Sequence, residues 1–192
     1  MRACILNFRY WMDEPGDDVM WFYSENHALM FHTCQLLAGE LYPSETFSNS
    51  GMTGLQMQQK AKGLLLEWFR GFLNEGFTEW NSSAYLPIDL LGLASLYAWT
   101  QDGELRALAK RGMDYVFYLL AVHSRKGFSQ GLRTHVPQGA VRKLVQLHIV
   151  HELDRLWLRH SGPRGQGRGF PLPVGLRAAA GLCGLFQCRA GF

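Results

Sequence analysis

An all-α fold is predicted by two features of the first 126 residues. Apolar side chains recur at steps of three and four, and no segment shows the alternating β-branched pattern of a strand. The loops between periodic segments are short, which makes consecutive helices antiparallel neighbours.

Five helices follow in order, with boundaries good to about two to four residues. The first, about 3–12, is the apolar segment Ile5 to Met12, stopped by the turn Asp13-Glu14-Pro15-Gly16-Asp17-Asp18. The second, about 24–40, carries Met30, Cys34, Leu37 and Leu41 on one face and has Ser24 at its N-cap. In the third, about 54–75, Met57, Ala61, Leu64, Leu65, Trp68 and Phe72 form the apolar stripe, with Lys60, Lys62, Glu67 and Arg70 on other faces. The fourth, about 88–100, is apolar almost all round and reads as buried. Leu105, Leu108, Ala109, Gly112, Val116, Leu119 and Leu120 define the fifth, about 103–122.

Composition narrows the class. With 192 residues, 47% of them hydrophobic, the chain can bury a real core, which excludes a disordered protein or a disulfide mini-scaffold. The net charge of +3 conceals two unlike parts: residues 1–126 hold 10 basic and 14 acidic side chains, residues 127–192 hold 9 and 2. The basic tail lacks a helical Lys/Arg face or aromatics spaced to stack bases, so no nucleic-acid partner is expected. Neither a membrane span nor a secretory signal is readable. Cys4 and Cys34 read as buried apolar thiols. Cys183 and Cys188 lack zinc spacing, and neither a structural metal nor a cofactor is expected.

Helix parity gathers the chemically interesting residues. If directions alternate, the 13–23 loop, the helix start at Ser24, the 76–87 loop and the segment after Leu120 share one end of the bundle, and the 41–53 and 101–103 loops the other. The first end holds Glu25, Asn26 and His27 at a helix N-terminus, beside a loop carrying Glu79, Trp80, Ser82 and Tyr85. A carboxylate, an indole and a phenol in one loop suit a sugar, since rings stack on its apolar face and polar groups bond its hydroxyls. A blander reading stands beside this one: an acidic first-turn residue complements the helix dipole without any chemistry. His27 and His32, five apart, do not share a face, and His32 reads as a core or boundary residue.

The segment from about Ile5 to Lys126 resembles an uncharacterised family of long all-helical proteins near the heparinase and alginate-lyase-like (α/α) toroids. The likeness is carried by Arg9-Tyr10-Trp11-Met12-Asp13-Glu14-Pro15-Gly16, Ser24-Glu25-Asn26-His27, Leu37-Ala38-Gly39, Phe47-Ser48-Asn49-Ser50-Gly51 and Gly76-Phe77-Thr78-Glu79-Trp80. It implies an incomplete toroid of antiparallel helical hairpins over residues 1–126, because five helices cannot close such a ring. The likeness ends at Gly127, where the charge also changes. A frame displaced by one base allows synonymous codons for Gly127 to Leu158 to continue the pattern through Gly-Arg-Thr-Tyr. Residues 127–192 are therefore expected to be a largely out-of-frame, poorly ordered basic tail.

The resemblance implies a carbohydrate-active enzyme of which this chain is a fragment, inactive by itself. For β-elimination of a uronic-acid polymer, Asn26 would neutralise the substrate carboxylate, His27 would take the proton and Tyr85 would donate one. For hydrolysis, Glu25 and Glu79 are the carboxyl pair. Trp80 and Ser82 are the expected substrate-binding residues in either case. The reading from a different class is a non-catalytic helical binding or structural protein.

Overall fold

The computed structural model describes residues 2–80, 82, 84–125 and 128–129. Within them the chain folds as α1 (Arg2–Leu6), α2 (Glu25–Leu41), α3 (Gly54–Glu75), α4 (Leu86–Trp99) and α5 (Gly103–His123). A two-residue antiparallel ladder, β1 (Ser124–Arg125) with β2 (Phe128–Ser129), follows. The described chain is thus helical as expected, and the helices end at His123, just short of the compositional break. Apart from β2, the expected tail lies outside the described residues, as do Cys183 and Cys188.

Local chemistry explains where the helices start and stop. Thr53 and Gln56 form a reciprocal cap at the head of α3: Thr53 Oγ1 accepts from Gln56 N–H, and Gln56 Oε1 accepts from Thr53 N–H at 2.8 Å. Gly76 ends α3 at φ +79, with its N–H donating to Phe72 O. Pro87 sits in the first turn of α4, where a missing N–H costs nothing.

α1 is shorter than the expected 3–12. Beyond Leu6, Phe8 and Tyr10 are both buried while Arg9 between them is half-buried, a period of two that a helix cannot provide. Side chains replace the helical hydrogen bonds there. The Arg9 guanidinium donates to the carbonyls of Met12, Glu14 and Asp18, and Tyr10 N–H donates to the Glu14 carboxylate at 2.8 Å. Glu14 is itself buried and paired with Lys60 of α3 at 3.0 Å, which ties the segment to the bundle. Cys4 is exposed, contrary to expectation, because α1 presents Ile5 to the core and turns its neighbour outward. Cys34 is buried.

Two cores meet on α2. One joins α3, α4 and α5 around Leu65, Phe69, Leu93, Leu105 and Val116, with Leu29 and Leu36 from α2. The other holds Phe8, Tyr10, Phe22, Phe47 and Met57 against Met30, Phe31 and Cys34 of α2. α2 and α3 approach closely at Gly39, where an added Cβ would lie 2.6 Å from Gly54 O. Because α2 is covered on several sides, four of its polar residues, Asn26, His32, Thr33 and Gln35, are buried along with its apolar ones.

The far end of the bundle is closed by charged groups. Glu40 at the end of α2 accepts from Thr100 Oγ1 at 2.8 Å and from Gln101 N–H, and Lys62 pairs with Asp102 at 2.6 Å. These contacts hold the α4–α5 turn against α2 and α3, at the end opposite to where α2 begins and α3 finishes.

Candidate functional site

The first turn of α2 is organised by its own side chains. Ser24 occupies the N-cap position in extended geometry, but its hydroxyl does not cap. It donates instead to Asn26 Oδ1 at 2.7 Å and contacts His27 Nδ1. Asn26 Oδ1 also accepts the backbone N–H of His27 at 2.8 Å, so it supplies the acceptor that a capping serine would have given. Asn26 is buried, and its side-chain oxygen is committed to these local bonds. His27 is half-buried, and that burial lowers the pKa of its ring.

Glu25 reaches from this turn to the loop after α3. Its Oε2 accepts Thr78 N–H at 2.9 Å, Thr78 Oγ1–H at 2.8 Å and Glu79 N–H at 3.3 Å. Trp68 of α3 donates its indole N–H to the Glu25 carbonyl at 3.0 Å, fixing the same turn from a third direction. The loop is anchored below by Phe77, buried against Phe72 with ring centroids 4.7 Å apart and near Tyr115 of α5.

Glu79 is therefore held beside Glu25 by backbone bonds. It is half-buried, and its Oε2 has no hydrogen-bond partner among the described residues. Burial first, then the charge of Glu25, raises its pKa. Trp80 is 61% exposed and meets His123 of α5 edge to face at 5.5 Å. Tyr85 is also exposed. Ser82 Oγ accepts Tyr85 N–H at 3.3 Å, so this hydroxyl serves the turn into α4. Asn81 and Ser83 fall outside the described residues.

A third carboxyl group joins the pair, and the sequence reading missed it. Asp89, in the first turn of α4, is 1% exposed, and its Oδ1 has no partner among the described residues. Burial, with the charges of Glu25 and Glu79 added, pushes its pKa up to about 8, so it is largely protonated at neutral pH. The signal was present as a lone aspartate inside an apolar run, the arrangement most expensive for a charge.

Chemically, this end offers two carboxyl groups held together in unequal surroundings, a buried protonated acid alongside, and exposed aromatic rings. Among the described residues, the charges acting on Glu79 and Asp89 are those of neighbouring carboxyl groups. Among the described residues no group of three or more His, Cys, Asp or Glu is arranged to hold a metal ion, and no helix is long and apolar enough to cross a membrane. A groove of about 850 Å³ lies elsewhere, between α1 and the 46–49 loop, and none of the candidate residues lines it. No family model, curated protein or solved structure matches the chain.

Proposed function

We propose that the end of the bundle around Glu25 and Glu79 is a carbohydrate site with the acid–base pair of a glycoside hydrolase. The observation that supports this best is the bond from Glu79 N–H to the Glu25 carboxylate, which brings the two residues together, with three hydrogen bonds on Glu25 Oε2 and none on Glu79 Oε2 among the described residues. Glu79, with its raised pKa, is the general acid, and Glu25 is the base or nucleophile. Trp80 and Tyr85 are the rings on which a sugar stacks.

Hydrolysis is favoured over β-elimination of a uronic-acid polymer. A polyuronate would bring carboxylates to an end where carboxyl groups are already crowded enough to raise the pKa of Glu79 and Asp89, and Asn26, the group needed to neutralise them, is buried. His27 and Asn26 act as positioning residues for the α2 turn in this reading. The five helices form part of an (α/α) toroid, and the chain alone does not turn over substrate. The exposed Phe117, Tyr118 and Val122 on α5 support an incomplete ring, since a further hairpin would cover them.

The second reading is a non-catalytic helical protein, favoured by one fact: all three bonds to Glu25 Oε2 are also what a purely structural clamp would make. Titration of the chain with neutral and uronic oligosaccharides separates a carbohydrate site from a purely structural clamp. Binding of neutral sugars, weakened by Trp80→Ala and retained in Glu79→Gln, is expected. Binding of no oligosaccharide, or of uronates alone, overturns the hydrolase reading.

A further inference from the structure

The three residues leading into α2 alternate in a way that the core does not require. Phe22 is buried, packed on Trp11 at 5.5 Å and Phe31 at 4.8 Å, with the Arg9 guanidinium 5.3 Å from its ring. Trp21 and Tyr23 on either side of it are 57% and 73% exposed, and their rings meet edge to face at 5.7 Å. Among the described residues Trp21 is the one non-glycine with a positive φ, +54°. A bulky L residue is strained there, and such strain persists where the surrounding structure imposes it. The anchor at Phe22 and the bond from Ser24 N–H to Trp21 O at 3.0 Å impose it here. The result is a pair of exposed rings on a fixed backbone, four residues before Glu25 and so within about 14 Å of it along even a fully extended chain.

We propose that Trp21, with Tyr23, is a second sugar-stacking subsite, taking a ring of a neutral oligosaccharide that extends from the Glu25–Glu79 pair. Fixed, exposed aromatic faces recognise the apolar face of a sugar at little cost in ordering. Neutrality follows from the charges nearby. Asp17 and Asp18 precede the segment and disfavour a uronate, and the Arg9 guanidinium has its donors committed to three carbonyls. The subsite rests on the carbohydrate reading above and extends it beyond Trp80.

The test is titration of the full chain with neutral glucan, mannan and xylan oligosaccharides from disaccharide to hexasaccharide. Trp21→Ala is expected to weaken hexasaccharide binding by about fivefold and leave disaccharide binding unchanged. Trp21→Gly suits the backbone, so it should weaken the hexasaccharide equally while the melting temperature holds or rises. If the wild-type chain binds the series and Trp80→Ala weakens it but Trp21→Ala does not, the subsite fails and the carbohydrate reading stands. Should the wild-type chain bind none of these sugars, that reading fails and the subsite with it. A fall in melting temperature in Trp21→Gly would make Trp21 a structural residue. Loss of self-association in Trp21→Ala, without loss of sugar affinity, would make the rings an interface between copies. Either result overturns the proposal.

Discussion

Glu25 and Thr78 stand 53 positions apart and are joined twice through one oxygen, Glu25 Oε2, which accepts both the backbone N–H and the hydroxyl of Thr78. This pair of hydrogen bonds from one residue fixes the start of the 76–80 loop, and Glu79 N–H donates to the same oxygen.

Removing that oxygen should free the loop more than it unfolds the protein. Glu25→Ala is expected to cost about 1–2 kcal/mol in urea denaturation, given the partial exposure of the group. The Thr78 and Glu79 amides should lose most of their protection in hydrogen exchange, and Glu25→Gln, which keeps an acceptor, should retain part of it. Unchanged exchange at Thr78 in Glu25→Ala would show that the clamp does not hold the loop.

Asp89 makes the protein less stable as pH rises. Its folded pKa of about 8 lies above the ordinary aspartate value of 3.8, so between those values the folded state holds a proton that the unfolded state has lost. Stability from this group is complete below pH 3.8 and is lost progressively as pH rises to about 8. Asp89→Asn abolishes the slope, so its advantage over the wild type should grow steadily across that window. Parallel stability–pH curves for the two proteins would contradict the assignment.

His32 acts with the opposite sign. Burial first, then the charge of Lys60, lowers its pKa from 6.5 to about 4, against a smaller raising effect of Asp13. The folded state stays neutral while the unfolded state takes up a proton, so stability is present above pH 6.5 and is lost as pH falls toward 4, about 3 kcal/mol in all. His32→Gln should remove that acid-side loss. In the wild type the two groups oppose each other between pH 4 and 6.5, so each single variant should expose the slope of the other residue.

Gly39→Ala tests the crossing of α2 and α3. The new methyl would meet the Gly54 carbonyl at 2.6 Å, and that atom belongs to backbone that cannot rotate away. A loss of about 1–3 kcal/mol is expected in thermal or urea unfolding. Gly63→Ala, on an open face of α3, should instead be neutral or stabilising.

Sequence periodicity was most legible where a helix has one wet face. α3 buries Met57, Ala61, Leu65 and Phe72 as its pattern predicts, with Leu64 and Trp68 half-buried, because Glu67 and Arg70 mark faces that stay out, whereas Lys60 is drawn in by buried Glu14. α2 was harder: its buried set includes Asn26, His32, Thr33 and Gln35, which hydropathy assigns to solvent. The start of the chain misled for a different reason, since Phe8 and Tyr10 are buried on an irregular segment whose carbonyls are satisfied by Arg9, a partner no local pattern discloses. Antiparallel parity placed Glu25 and Glu79 at one end, and the Glu79 N–H to Glu25 bond shows the two loops meeting. Trp21 escaped notice because its significance lies in a backbone angle that residue type does not disclose, and Asp89 because its signal, one aspartate in an apolar run, does not say which carboxyl groups it will face.

The position of α2 between two cores governs how the molecule comes apart. Leu29 and Leu36 face one cluster, while Met30, Phe31, Cys34 and Ala38 face the other. Loosening either side uncovers one flank of the same rod, so the two halves should melt in a single cooperative transition, with the amides of α2 the last to exchange. A ligand that steadies the Ser24–His27 turn would then brace both halves at once, and its effect would be felt as far away as Ile5 and Val116.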